Sequence, residues 1–83
     1  MTNTLPLLSE LARSVSIGST YEHYKKLRYQ VIAVARHSES LEELVVYQAL
    51  YGERSIWVRP VGMFLENVVI DGSLQPRFKL ILG

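Results

Sequence analysis

The sequence predicts a small, mainly β domain: a five-stranded barrel preceded by one N-terminal α-helix. Three observations carry this. The chain has 83 residues, which suits one domain. Apolar residues make up 48% of it, enough for a single core and too many for a chain disordered along most of its length. After Thr20, short runs rich in β-branched and aromatic residues recur at roughly 8–12 residue spacing, the rhythm of a sandwich or small barrel.

The first element is the helix. Leu5, Leu8, Leu11, Ala12 and Val15 follow the i, i+3, i+4, i+7 spacing of one helix face, predicting a helix over residues 4–16. Thr4 can cap it, Pro6 suits the first turn, and Gly18 can stop it. This leucine stripe either packs on the domain's own core or serves as a partner or self-association surface. The boundary falls at residue 17, with the β domain spanning 18–83.

Five runs then read as strands: 28–37 (RYQVIAVARH), 44–50 (LVVYQAL), 55–59 (SIWVR), 68–71 and 78–82. Turn-like material separates them at Lys25-Lys26-Leu27, Ser38 to Glu42, Gly52-Glu53-Arg54 and Asp71-Gly72. A single 3₁₀ turn is expected over Pro60 to Phe64. Closing five strands into a barrel removes exposed edges, so a barrel is the economical arrangement. Gln48 points Val45, Tyr47 and Ala49 inward, although Leu44, Val46 and Leu50 are apolar as well, which suits a strand covered on both faces, with the helix the candidate cover for one of them. In 55–59, Ile56 and Val58 share one face and Trp57 and Arg59 the other. Arginine is seldom buried unpaired, so Ile56 and Val58 are expected to point inward and Trp57 and Arg59 to stand outside or at a rim.

Several function classes are disfavoured. The chain has no cysteine, hence no disulfide and no thiolate metal site, a composition that fits a reducing cytoplasm. No apolar run approaches the roughly 20 residues of a membrane span, and the N-terminus lacks the basic start and apolar stretch of a signal peptide; a cytoplasmic protein with no membrane partner is expected. Two histidines and scattered carboxylates show no metal-ligand spacing, and no nucleotide-cofactor or nucleophile motif is present, so neither metal nor cofactor is expected. The net charge of +1 is segmented: residues 25–36 carry +4 and residues 37–53 carry −4. Paired as a hairpin, these charges largely cancel, unlike the one-signed basic face of a typical nucleic-acid binder.

The order of residues adds a further indication. Gly18 to Lys25 with Tyr21-Glu22-His23-Tyr24, Tyr29-Gln30-Val31, Ala35 to Glu39, Val45-Val46-Tyr47, Leu50-Tyr51-Gly52, Trp57-Val58-Arg59-Pro60, Met63-Phe64, Glu66 and Pro76-Arg77-Phe78 together resemble the bacterial domain of unknown function family 1653. The likeness runs from about residue 18 to 78. It implies a small SH3-like barrel and no established activity. The family tends to place glycine after the lysine of His-Tyr-Lys, where this chain has Lys26. A turn with positive φ would strain a lysine, so this turn is expected to differ.

Three constellations are candidate sites. Trp57 with Arg59 has the composition of a binding hot spot, with an indole to stack a base, an aromatic or a proline and a guanidinium to hold phosphate or carboxylate; the plain alternative is an arginine shielding a tryptophan. His23-Tyr24-Lys25, at a strand end, can hold an anionic or polar group, or else fill the barrel mouth. Arg36-His37-Ser38-Glu39 offers a His37/Glu39 acid–base pair, or else turn chemistry, with Arg36 and His37 lying across from Glu43. The five tyrosines Tyr21, Tyr24, Tyr29, Tyr47 and Tyr51 either line a groove or pack the core. The reading is a non-catalytic module that binds a protein, a peptide or a nucleotide or RNA ligand through Trp57, Arg59, Arg36, His37, His23 and Lys25. Its rivals are a small hydrolase-like enzyme using the His/Glu pair and an assembly subunit that docks or self-associates through the N-terminal helix.

Overall fold

A computed structural model of the chain describes residues 7–81. The order is α1 (Glu10–Arg13), β1 (Thr20–His23), β2 (Arg28–Arg36), β3 (Glu43–Ala49), β4 (Ile56–Pro60), α2 (Val61–Phe64), β5 (Asn67–Ile70), β6 (Ser73–Pro76) and β7 (Phe78–Leu80). The mainly β class holds. Seven strands form two antiparallel sheets among the described residues: a five-stranded sheet ordered β4-β3-β2-β1-β7 and a β5-β6 hairpin. The expected closure does not occur, because β4 and β7 remain the two edges of the large sheet.

All five strand-like runs form strands, within a residue or two of the expected ends. Thr20–His23 and Ser73–Pro76 add two more, and the turn expected after Pro60 is one turn of α-helix. The long helix is corrected to four residues, Glu10–Arg13. Thr4, Leu5 and Pro6 lie outside the described residues. Ser9 is the cap: its hydroxyl accepts from the Ala12 amide at 3.1 Å. Five residues later the Ser14 hydroxyl donates back to the Leu11 carbonyl at 2.6 Å, the local bonding by which serine competes with helix propagation. Ala12 and Val15 are buried, whereas Leu11 faces solvent. Ser9 also donates to Glu43 on β3, from its amide at 2.7 Å and from its hydroxyl at 2.6 Å, so the cap ties α1 to the sheet.

The core lies on one face of the large sheet. Tyr21, Val31, Val45, Tyr47 and Phe78 project from the strands onto Phe64 and Val61 of α2 and onto Ala12 and Val15. Phe64, Val31 and Val45 are fully enclosed. Val45, Tyr47 and Ala49 point inward as Gln48 implied. The acidic and basic segments do pair: Arg36 lies opposite Glu43 in the β2–β3 register.

The β1–β2 turn keeps positive φ. Lys26 has φ 72°, its amide donates to the His23 carbonyl at 2.7 Å, and the His23 amide donates to the Leu27 carbonyl at 2.7 Å. This is a three-residue hairpin loop with a left-handed third residue, a position that favours glycine. A lysine thus stands at the left-handed position of this turn, where the resemblance leads one to expect glycine, and it takes the strain.

Candidate functional site at the seam of the sheet

Strand β4 fixes the first part of the site. Trp57 pairs with Tyr47 and Arg59 with Val45. Residues directly opposite share a face, so Trp57 and Arg59 project on the core side. Ile56 and Val58, expected to point inward, lie on the outer side at 60% and 59% exposure. The expectation misjudged the edge. Arg59 is not enclosed by the core but laid across its open margin, where an arginine keeps contact with water.

That margin is a seam between β4 and β7. The Arg59 guanidinium lies 5.6 Å from the centroid of the Phe78 ring on β7, and its Nε donates to the Tyr47 hydroxyl at 3.2 Å. A side chain thus bridges the edges that no backbone ladder closes. Beneath it, Phe78 stacks on Phe64 at 4.2 Å, with Tyr47 5.4 Å from each ring. Tyr29 packs edge-on against Tyr47 and Phe78 and meets Tyr51 hydroxyl to hydroxyl. Burial, the Tyr51 hydrogen bond and the neighbouring phenols push the Tyr29 phenol up to about 12, against a smaller lowering by Arg59.

Trp57 continues the seam outward. It is 54% exposed and borders a shallow hollow of about 160 Å³ with Tyr51, Gly52 and Glu53. On the β7 side, His23 pairs with Phe78, its ring 4.9 Å from Phe78 and 4.3 Å from Tyr24. Burial, then the charges of Arg59, Arg77 and Lys25, hold the His23 pKa below 6.5. Its Nδ1 accepts the Lys25 amide at 3.2 Å, which leaves the proton of the neutral ring on Nε2. His23 and Tyr24 also line a cleft of about 510 Å³ between the β1–β2 turn and the β5–β6 hairpin, with Lys26, Lys79 and Asp71 among its walls.

Of the six sequence candidates, the structure gathers Trp57, Arg59 and His23 along the seam, with Lys25 at the adjoining turn, where its ammonium stands 6.0 Å from the Tyr24 ring. It does not bring Arg36 and His37 to them. Arg36 sits at the other end of β2, where its charge adds to the Ser9 hydrogen bonds that lower the Glu43 pKa. His37 Nδ1 accepts the Glu39 and Ser40 amides at 3.1 and 3.3 Å, so its contact with Glu39 is through the backbone and builds the turn. Phe64, Phe78 and Arg77 are seam residues the sequence reading did not single out. The Pro76-Arg77-Phe78 tripeptide was the available signal. Arg77 pairs with Glu66 at 2.6 Å while its buried Nε has no hydrogen-bond partner.

The described residues hold no grouping of histidine and carboxylates able to bind a metal, and no described helix is long and apolar enough to cross a membrane. Fold and site together define a small antiparallel β domain, left open along one seam that is filled by aromatic rings and crossed by an arginine. The chain belongs to the DUF1653 family of proteins of unknown function, whose model matches residues 19–80. It is similar to a solved structure of a DUF1653 protein from Bordetella bronchiseptica, with 30% identity, a TM-score of 0.76, and coverage of 84% of this chain and 91% of that one. No curated protein matches the chain.

Proposed function

We propose that the domain is a non-catalytic binding module, acting in the cytoplasm, that holds a ligand joining an anionic group to a planar one. The observation that carries this is Arg59. Its guanidinium is oriented by the Tyr47 hydroxyl and the Phe78 ring, yet no carboxylate among the described residues pairs with it. An arginine fixed in place over a ring, with its terminal nitrogens directed to no carboxylate, is prepared for phosphate or carboxylate. The His23 pKa is lowered first by burial and then by the charges of Arg59, Arg77 and Lys25, which lie close enough to act on the same place. Trp57, half exposed two residues along the strand, supplies the planar contact.

The test is an amide and side-chain NMR titration with inorganic phosphate, mononucleotides and short peptides bearing a terminal carboxylate. Shifts are expected at the Trp57 indole, Arg59 Nε and His23, weakening with salt and lost in Arg59→Met. The peptide and nucleotide arms separate a carboxylate ligand from a phosphate one. Absence of shifts along the seam with every probe, or shifts that persist in Arg59→Met, would overturn the reading.

A further inference from the structure

The cleft of about 510 Å³ between the β1–β2 turn and the β5–β6 hairpin takes no part in the binding reading, and its walls carry a different chemistry. One wall holds two lysines. Lys26 stands there with φ 72°, a conformation in which Cβ crowds the following carbonyl. No carboxylate among the described residues pairs with its ammonium, so the fold gains no ion pair for a strain that glycine would avoid. Lys79 is in the same position. Glu22 lies directly opposite it in the β1–β7 register, yet the Glu22 carboxylate meets Arg28 at 3.5 Å, and Lys79 has no carboxylate partner among the described residues. Two uncompensated ammoniums therefore line one hollow.

The facing wall is the hairpin. Ile70 pairs with Ser73 across Asp71-Gly72, whose φ of 51° and 81° make the tight turn that Asp-Gly favours. Asp71, Ser73 and Gln75 follow at every second position and all line the cleft, which sets a carboxylate, a hydroxyl and an amide in a row. Asp71 meets no cation among the described residues. Tyr24 and Pro76 supply apolar surface between the two walls. The volume falls within the range of about 300–1,000 Å³ that small-molecule sites occupy.

We infer that this cleft is a second binding site, separate from the seam, for a small phosphorylated polyol. The phosphate lies between Lys26 and Lys79, compact cations that hold phosphate as point charges. The polyol hydroxyls donate to Asp71 and exchange hydrogen bonds with Ser73 and Gln75, each of which both donates and accepts. Its C–H faces lie against Tyr24 and Pro76. A bare anion satisfies the lysines but leaves the hairpin row unused and is repelled by Asp71. An acidic amino acid offers its one ammonium to Asp71 and nothing to Ser73 and Gln75.

The full chain is titrated with ribose 5-phosphate, ribose and inorganic phosphate, followed by amide NMR and calorimetry. Ribose 5-phosphate is expected to give saturable shifts at residues 24–26, 71–75 and 79, and to bind more tightly than either fragment. Lys26→Gly, which relieves strain and so does not unfold the domain, should weaken it about tenfold, as should Lys79→Gln. Asp71→Asn keeps a residue suited to the turn and should weaken ribose 5-phosphate more than inorganic phosphate. Arg59→Met removes the seam cation and should leave this binding unchanged. An absence of shifts in these segments, or an affinity that Lys26→Gly does not alter, overturns the inference. Binding of ribose 5-phosphate no tighter than that of inorganic phosphate overturns the polyol, and its loss in Arg59→Met overturns the separate site. His23 borders both places and serves as a readout for neither here, so failure in the cleft is distinguishable from failure at the seam.

Discussion

Lys26 is where the chain holds strain that a single substitution can release. Its φ of 72° lies in the left-handed region, fixed there by the 2.7 Å bonds that close the turn on either side of His23. An L-residue pays about 1–2 kcal/mol for that conformation because Cβ crowds the following carbonyl. Glycine removes the clash but widens the unfolded ensemble, which offsets about 0.5–1 kcal/mol. The Lys26 side chain is exposed, so losing it adds little. Lys26→Gly should therefore stabilise the domain by about 0.5–1 kcal/mol, a rise in melting temperature of roughly 2–8 °C at this size. Thermal and urea unfolding followed by circular dichroism reads this, with Lys26→Ala as control. Alanine keeps Cβ and should change stability little. A lower melting temperature for Lys26→Gly, or an equal rise for Lys26→Ala, would show that the turn is not strained as described.

Three other predictions follow from burial and charge. Phe64→Ala removes a fully enclosed ring that stacks on Phe78 and should cost about 3–5 kcal/mol in urea unfolding; a loss below 1 kcal/mol would mean α2 does not close the core. His23 has a folded-state pKa below its unfolded value of 6.5, so the unfolded chain binds the proton more readily. Stability should be complete above pH 6.5 and decline as pH falls from there toward the folded pKa, a dependence that His23→Gln abolishes; an NMR titration with the midpoint above 6.5 would contradict it. The Tyr29 phenol should ionise at about pH 12 in an ultraviolet titration. That step should vanish in Tyr29→Phe, and its persistence would assign it to another group.

The sequence was most legible where side chains alternate cleanly and carry branched or aromatic groups. The β2 and β3 runs supply both signals, and their ends were found within a residue or so. Thr20–His23 and Ser73–Pro76 lack them: one is half polar, and the other contains proline and is exposed along its length. The helix was overextended because leucine spacing continues through Ser9 and Ser14, while periodicity does not register the hydroxyl bonds that fix its ends. Of the site, the pairing of Trp57 with Arg59 was readable, and so was the Arg36–Glu43 juxtaposition. What was not readable is which distant residues reach Arg59. Phe78 is separated from it by α2 and the whole β5–β6 hairpin, and only the curl of the sheet brings the two together.

The misplaced face of β4 shows how the fold and the site depend on each other. The sequence argument held that a core excludes arginine, and for a closed barrel that is sound. This sheet stops short of closure, and its last gap lies where β4 would otherwise meet β7. A guanidinium is suited to such a gap: it lies over the Phe78 ring, its Nε donates to the Tyr47 hydroxyl, and no carboxylate among the described residues pairs with its remaining nitrogens. The contact that completes the core therefore also leaves a positioned cation at the surface, beside an indole that the same edge keeps exposed. Backbone closure of the barrel would bury Arg59 or expel it, and in either case the cation would no longer be held over the rings. The open seam is thus the structural condition for the site, and the unpaired β4 edge is its direct consequence.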